Sequence, residues 1–485
     1  MGSLSADEKF FVSEVFRDAP GAALRRTPQE TVGEPARDIP LYDECDVLVV
    51  GGGPSGTAAA VAAARLGARV ILLERYNHLG GLATGGLVIW IDRMTDWDGR
   101  EVIQGFAREV FERLPGHAVA GPERSEWGSR DPGRAAFWSH RTSAFHGVVT
   151  WSPTIDPERL KLVSQAMVLA ERVKLVFHSW AALPLVADGA VAGAIFESKA
   201  GRQAIRAKVS VDATGDGDLF ARAGADCESD IEASGIHHCM NTSWLFGGVD
   251  MQRWLEFKAG YAQQFAQFMQ LGRERLRLFD KPFVSWRNDI ALFMGPRLAG
   301  FSALDPDDLT TVEVRSHRLM DQHLDFYRAH APGFEHAHLL QSAPQLGVRH
   351  SRRLVGVNKV TRAQWPTALV HADEIGVSPS LSPRIPNISI PYGCLVPERL
   401  DGLIACGRHV ACDPNSHSFL REIPQCWVTG QAAGAAAALA AGGNTPLRAI
   451  DVAELQRVLL KQGVNLRPAL LARPANPPAA EPVSD

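Results

Sequence analysis

The chain has no C-x-x-C pair, and its seven cysteines (Cys45, Cys227, Cys239, Cys394, Cys406, Cys412 and Cys426) are scattered over 485 residues. An odd, dispersed set argues against a disulfide framework, a zinc site or an iron–sulfur cluster. Reduced, mostly buried thiols of a cytoplasmic protein are expected instead. Neither charge dominates: 50 Lys and Arg stand against 54 Asp and Glu, a net charge of -4. A basic face for nucleic acid is therefore not indicated. Long hydrophobic runs are missing too. The most apolar helical stretch, alanine-rich 432–441, is about half the length of a membrane span. The N-terminal residues mix charges at Asp7, Glu8 and Lys9 and lack the apolar region of a secretory leader. A soluble protein without a membrane span is expected. No internal repeat is seen.

What is present is apolar residue in quantity, 46% of the chain, enough for a large core. Residues 1–42 are polar and interrupted by Pro20, Pro28, Pro35 and Pro40, which reads as an extended arm. Asp46 to Val50 is a short apolar run rich in valine, a buried strand by length and β-branching. Small helix formers follow from Pro54 to Leu66, and Gly67 is placed to end the helix. Arg69 to Leu73 is a second buried strand. A strand–helix–strand unit of this size implies a parallel sheet. Further on, 173–177, 191–196 and 207–211 read as strands. The aromatic-rich segment 251–277 reads as a helix forming core or an interface. A helix from about Asp307 to Arg328 is expected, with Asp305 or Asp307 as cap and Pro306 in its first turn. The segment 345–360 alternates like a strand. The alanine-rich helix is expected to open at Gly430.

Gly51-Gly52-Gly53-Pro54-Ser55-Gly56 fits G-x-G-x-x-G. Gly51 permits the tight turn out of the strand, Gly53 lets backbone approach a pyrophosphate, and Gly56 lets helix pack on strand. The helix N-terminus then offers unpaired N–H groups and a favourable dipole to phosphates. The required context is present: a strand before, a helix after, and Glu74 at the end of the second strand, placed to accept ribose hydroxyls. Arg75 follows it. The motif alone does not separate FAD from NAD.

Three later pieces do. They are Ala213-Thr214-Gly215-Asp216-Gly217, Ile390-Pro391-Tyr392-Gly393-Cys394-Leu395-Val396-Pro397, and Gly430-Gln431-Ala432-Ala433-Gly434. In this order they resemble the FAD-dependent oxidoreductase family of the superfamily that includes glutathione reductase and the fumarate reductase flavoproteins. The resemblance runs from residue 46 to about 441. It implies an α/β fold: a Rossmann-like FAD-binding domain with a parallel sheet, plus an interleaved α+β substrate domain. The FAD-binding domain would comprise 43–95, 145–230 and 390–445, and the substrate or cap domain 96–144 and 231–389. An N-terminal arm (1–42) and a C-terminal helix with a disordered tail (446–485) would complete the chain. By the same resemblance, Gly51, Gly53, Gly56 and Glu74 hold the ADP portion of FAD, and Pro54, Ser55 and Arg75 beside them are also expected to bind the cofactor. Gly80, Gly81 and Thr84 line the flavin, and Ala213, Thr214 and Gly215 pass the pyrophosphate or adenosine. Gly407 approaches the ribityl chain, followed here by Arg408 where many superfamily members have aspartate. The start of the helix at Gly430, Gln431 and Ala432 faces the flavin pyrimidine edge.

There is no second G-x-G-x-x-G after a strand, so a dedicated NAD(P)H domain is not expected, and dithiol chemistry lacks its cysteine pair. Oxygen, a carrier or a second small substrate must then reoxidise the flavin. Substrate oxidation needs a proton acceptor and an orienting group beside the flavin. His409 and His417 are candidate bases. Arg421 is a candidate carboxylate clamp or oxyanion stabiliser. A second basic cluster, Arg349-His350-Ser351-Arg352-Arg353, would in a strand place Arg349 and Arg353 on one face. It suggests an anionic or carbonyl-bearing small-molecule substrate. His237-His238 with Cys239 lacks a second ligand group, and no metal is expected. The preferred function is an FAD-dependent oxidase or dehydrogenase. A fumarate reductase-like enoate reductase and a flavin-bound subunit of a larger assembly remain as alternatives. A homo-oligomer is compatible with each.

Overall fold

A computed structural model describes residues 30–229, 239–276 and 278–467, with the backbone of Val15–Arg17. The first unit is a strand Leu41–Val50, a helix Pro54–Ala64 and a strand Val70–Leu73. The run Val47, Leu48 and Val49 is fully buried, as its unbroken apolar character requires in a parallel sheet covered on both faces. The strand starts before the apolar run, at Leu41, so the arm feeds directly into it. Part of that arm is itself paired: Val15–Arg17 lies parallel to Arg297–Ala299.

The central sheet has the order Lys174–Val176, Val70–Leu73, Leu41–Val50, Gly201–Asp212, Ala190–Ser198, Trp180–Ala187, and Leu403–Ala405 adds to the end of Gly201–Asp212. Pairing is parallel on the side of the first unit and antiparallel across the last three strands of the path. Trp180–Ala187, not foreseen as a strand, carries Pro184 and occupies the sheet edge, where a missing N–H is tolerated. The registers Val50↔Leu73, Asp212↔Val50 and Asp212↔Ala405 bring the carboxyl ends of these strands level. The turns at Gly51, Glu74, Ala213 and Cys406 therefore emerge along one edge, the place where open α/β sheets bind ligands.

The helix Pro54–Ala64 is buried from Ser55 to Ala63 because it lies between this sheet and a long helix, Ile423–Gly443. The crossing depends on two glycines four residues apart. A Cβ on Gly430 would stand 2.1 Å from the Ser55 carbonyl oxygen, and one on Gly434 2.0 Å from that of Ala59. The long helix begins seven residues before Gly430, with Pro424 in its first turn. The expected start at Gly430 is thus corrected: apolar Ile423 to Val428 continue the same buried helix.

A second, aromatic core lies over the antiparallel sheet of Phe283–Val284, Ile290–Phe293, Trp244–Gly247 and His338–Ser342. Trp254 is its hub, with the rings of Phe257, Phe265, Phe268, Tyr327 and Phe334 centred 5.4–5.9 Å away. The segment read as one helix over 251–277 is two, Met251–Gly260 and Ala262–Arg275, with the break at Tyr261 (φ −126°, ψ 59°). The helix foreseen near 307–328 is Pro306–His330, capped by Asp305, which accepts from the amides of Asp307 and Asp308. A separate small sheet joins Val15–Arg17, Arg297–Ala299, Met240–Asn241 and Gly347–Val348. Leu298, Met240 and Val348 are in register and pack with Phe301 and Val312 on one face. Alternation sends Arg297 and Arg349 to the other. Among the described residues no helix is long and apolar enough to cross a membrane. The tail read as disordered lies outside the described residues from 468 onward, as do His237 and His238.

Candidate active site

A cleft opens along the carboxyl edge of the sheet. Its floor is the fingerprint turn. Gly51 has φ +101°, and a Cβ there would lie 2.5 Å from the Ala213 carbonyl oxygen, so the two strand exits touch through backbone. A Cβ on Gly56 would lie 1.7 Å from the Gly51 oxygen, which leaves the helix seated on the turn. A Cβ on Gly53 would meet no atom within 4 Å, and Gly53, Pro54 and Ser55 line the cleft. The backbone thus faces an open trough at the helix N-terminus, where a pyrophosphate fits.

Glu74 closes one side. Its Oε2 accepts the Gly52 amide at 2.6 Å and its Oε1 the Tyr76 amide at 2.8 Å. Burial raises its pKa, against the pull of these amides and of Arg75. Each oxygen keeps a lone pair for a ribose hydroxyl. The Arg75 guanidinium sits 4.9 Å from the Tyr76 ring and 5.1 Å from that of Trp180, and all three line the cleft. Tyr76 and Trp180 were not foreseen; Trp180 belongs to an edge strand without a motif.

The Ala213-Thr214-Gly215 turn lines the middle and is built around buried Asp212. Asp212 Oδ1 accepts the amide and hydroxyl of Thr214, and Oδ2 accepts the amides of Leu219 and Phe220. Asp216 pairs with Arg408 at 2.6 Å and accepts the Ser351 hydroxyl at 2.7 Å. Burial works to raise the Asp216 pKa, but Arg408 and Ser351 outweigh it and hold it low. Among the described residues the buried Nε of Arg408 has no hydrogen-bond partner at the cleft wall. A polar donor left over there suits an anionic ligand.

Several candidates stand elsewhere. His409 is buried and donates from Nε2 to the Asp212 carbonyl at 3.0 Å. His417 donates from Nε2 to the Arg408 carbonyl at 2.9 Å and packs edge-on against His350. Neither lines the cleft. Thr84 is buried and donates to the Leu79 carbonyl, Gly80 is folded against Thr84, and Gly81 and Leu82 of this loop reach the cleft wall. Gly407 lies on Ser55, leaving Arg408 to face the cleft. Gly430 and Ala432 are helix-packing residues, and Gln431 Oε1 accepts the Phe106 amide. The long helix meets the cleft at Ile423 instead.

The 345–360 segment is not one strand. It makes two short ones, Gly347–Val348 and Arg353–Leu354, because Ser351 and Arg352 turn onto Asp216. Arg353 is buried and donates to the Cys412 carbonyl, away from Arg349. Arg349 instead comes near Arg421, and each shifts the electrostatics felt by Arg297. Arg421 lines the cleft. Burial lowers its pKa, as does the neighbouring Arg349 charge. Among the described residues the buried Nε atoms of Arg349 and Arg421 have no hydrogen-bond partners.

A glycine fingerprint at the carboxyl edge of a parallel sheet, with a buried carboxylate at the end of the next strand, is the pattern of a dinucleotide-binding protein. The chain belongs to the FAD dependent oxidoreductase family, whose profile matches residues 46–380 and 381–459. It is an enzyme, and FAD is its cofactor. A digeranylgeranylglycerophospholipid reductase of Methanopyrus kandleri is 26% identical over 213 residues, 43% of this chain and 46% of that protein. A thiamine thiazole synthase of Methanothermobacter thermautotrophicus is 39% identical over 69 residues, 14% of this chain and 27% of that protein. The chain thus spans less than half the length of these curated relatives. A solved geranylgeranyl bacteriochlorophyll reductase-like protein of Thermoplasma acidophilum is 14% identical, with 87% of this chain matching 82% of that one at a TM-score of 0.43.

Proposed function

We propose that this flavoenzyme is an oxidase or dehydrogenase of a small anionic substrate, which sits where the cleft ends against Arg421 and Arg349. The observation that carries this reading is the pair of buried guanidinium Nε atoms without hydrogen-bond partners, one of them on the cleft wall. An unsatisfied buried donor is costly, and a carboxylate is the group that best relieves a guanidinium. In this reading the sheet around Leu41–Val50 forms the FAD-binding domain, and the aromatic core over 239–342 belongs to the substrate domain.

FAD, when bound, supplies a two-electron acceptor at N5. The chain's own groups do the rest. Gly53, Pro54 and Ser55 present backbone to the pyrophosphate, and Glu74 accepts from the ribose. Arg421 and Arg349 orient the substrate's anionic group. The first turn of Ile423–Gly443, with its N–H groups unpaired, favours negative charge beside Ile423. Oxygen or a carrier then takes the electrons, in a cytoplasmic setting.

The test is anaerobic titration of the FAD-loaded protein with pools of carboxylate metabolites, read as bleaching of the flavin bands. Bleaching by one pool supports the reading and names the substrate class. Bleaching by none, together with reoxidation of reduced protein by an unsaturated acid, would replace it with the enoate reductase reading.

A further inference from the structure

We infer that Arg297, Arg349 and Asp280 form, together with Arg421, a carboxylate-binding pocket in which the anion is taken up together with a proton on Asp280. This rests on the substrate end assigned above and adds two residues to it.

The placement follows from the small sheet. Leu298, Met240 and Val348 commit one face to the core under Pro306–His330, so Arg297 and Arg349 share the opposite face. Three other buried or half-buried arginines are matched to a carboxylate: Arg408 to Asp216, Arg353 to Glu228, Arg202 to Glu197. Among the described residues Arg297 and Arg349 close no ion pair. Arg421 has only its neighbour Glu422, at 3.1 Å. Burial, then the Arg349 and Arg421 charges, push the Arg297 guanidinium down to about 10. Three like charges crowded into a low-dielectric corner make an electrostatic deficit that a bound anion relieves.

Asp280 is held from behind. Its amide donates to His323 Nε2 at 3.0 Å, and Tyr327 Oη donates to its carbonyl at 2.9 Å. Both partners belong to Pro306–His330 and are buried in the aromatic core. The side chain therefore projects away from that core, and its Oδ2 lies 2.2 Å from where a Gly295 Cβ would stand. The charged groups facing it are Lys281 on its own segment, Arg297 on the small sheet and Arg349 after Gly347–Val348, with His323 and Tyr327 behind. Burial raises its pKa to about 6 despite these cations. A second carboxylate entering beside Asp280 repels its charged form and accepts a hydrogen bond from its neutral form. The sign is fixed: uptake is favoured below about 6 and weakens as pH rises above it.

Oxalate is the probe, because it stays ionised across the range used. Calorimetric titration of the FAD-loaded protein with oxalate runs from about pH 5.5 to about pH 8, in buffers of different ionisation enthalpy. Affinity should fall with rising pH, approaching about tenfold per unit above the titration, with proton uptake on binding near neutrality. Asp280→Asn should bind oxalate with one affinity throughout, close to the wild-type value at the acid end. Arg297→Ala should lose about tenfold or more at every pH. Absence of oxalate binding, or binding without pH dependence and proton uptake, overturns the inference. The wild-type titration decides this even if a variant does not fold. If oxalate binds with proton uptake while no substrate bleaches the flavin, the pocket stands and the oxidase or dehydrogenase reading falls. If a substrate bleaches the flavin while oxalate binding ignores pH, the reverse holds.

Discussion

The Glu74 carboxylate accepts the Gly52 amide at 2.6 Å, so the end of the second strand is latched to the turn leaving the first. Its other oxygen holds Tyr76. One side chain thus shapes both the fingerprint turn and the aromatic wall beside Trp180. Glu74→Ala leaves two buried amides unmatched, at roughly 1–3 kcal/mol each. FAD should bind about tenfold or more weakly in a fluorescence titration. Wild-type affinity would remove Glu74 from the site.

Gly53 separates binding from folding. Its missing Cβ meets nothing within 4 Å, so the β-carbon of Gly53→Val has no protein atom to displace. The variant should melt like the wild-type apoprotein in a circular dichroism scan, yet purify colourless and refuse FAD. Yellow protein with full flavin content would show that the pyrophosphate does not pass this turn.

Two glycines of one helix should respond oppositely. Gly430→Ala drives a methyl against the Ser55 carbonyl oxygen. Overpacking of this kind costs typically about 1–3 kcal/mol, and here the obstacle is backbone. Gly442→Ala meets nothing within 4 Å and should be neutral or gain up to about 1 kcal/mol from helix propensity. Urea melts of the two apoproteins, compared with wild type, check the contrast.

His323 sets an acid limit on the fold. Its Nε2 must accept from Asp280, so Nδ1 carries the proton and donates to the Leu319 carbonyl at 2.7 Å. Burial lowers its pKa from 6.5 to about 4. The neutral ring therefore adds stability above about 6.5, lost as pH falls from there through about 4, up to about 3 kcal/mol. His78, buried and likewise lowered to about 4, adds to the same slope. His323→Gln should flatten the decline of melting temperature across this window. An unchanged slope would assign the acid sensitivity elsewhere.

Arg421→Ala should keep its flavin and lose substrate-driven bleaching. Stopped-flow reduction at wild-type rate would exclude Arg421 from the substrate end.

The first strand–turn–helix–strand unit was legible because its physics is local. Asp46 to Leu73 specifies strand, turn and helix within one window, and Glu74 is recognisable by distance from Gly56. The family motifs located Ala213 to Gly215 for the same reason. Residues whose roles arise from long-range packing were not legible. Gly430 resembled a helix start because glycine often marks a terminus, yet its purpose is contact with Ser55. His409 and His417 stood in the right stretch of chain, and only the fold shows their rings turned onto backbone carbonyls. Arg349 and Arg353, two positions that one strand would have aligned, part company because Ser351 and Arg352 are drawn to Asp216. Asp280 and Arg297 carry no motif; their proposed conjunction depends on packing between distant segments.

The pairing of Pro54–Ala64 with Ile423–Gly443 is the most extensive helix contact among the described residues, and it joins segments some 370 positions apart. Pro54–Ala64 leaves the ribosome long before Ile423–Gly443, so its partner face is covered only when that helix arrives. Until then its alanine surface and the glycine turn beside it stand exposed. Distant pairings of this kind slow folding and lengthen the exposure of apolar surface to wrong partners. The cofactor trough is thus completed late in synthesis, and a nascent chain cut short of the long helix lacks the element that holds its fingerprint in place.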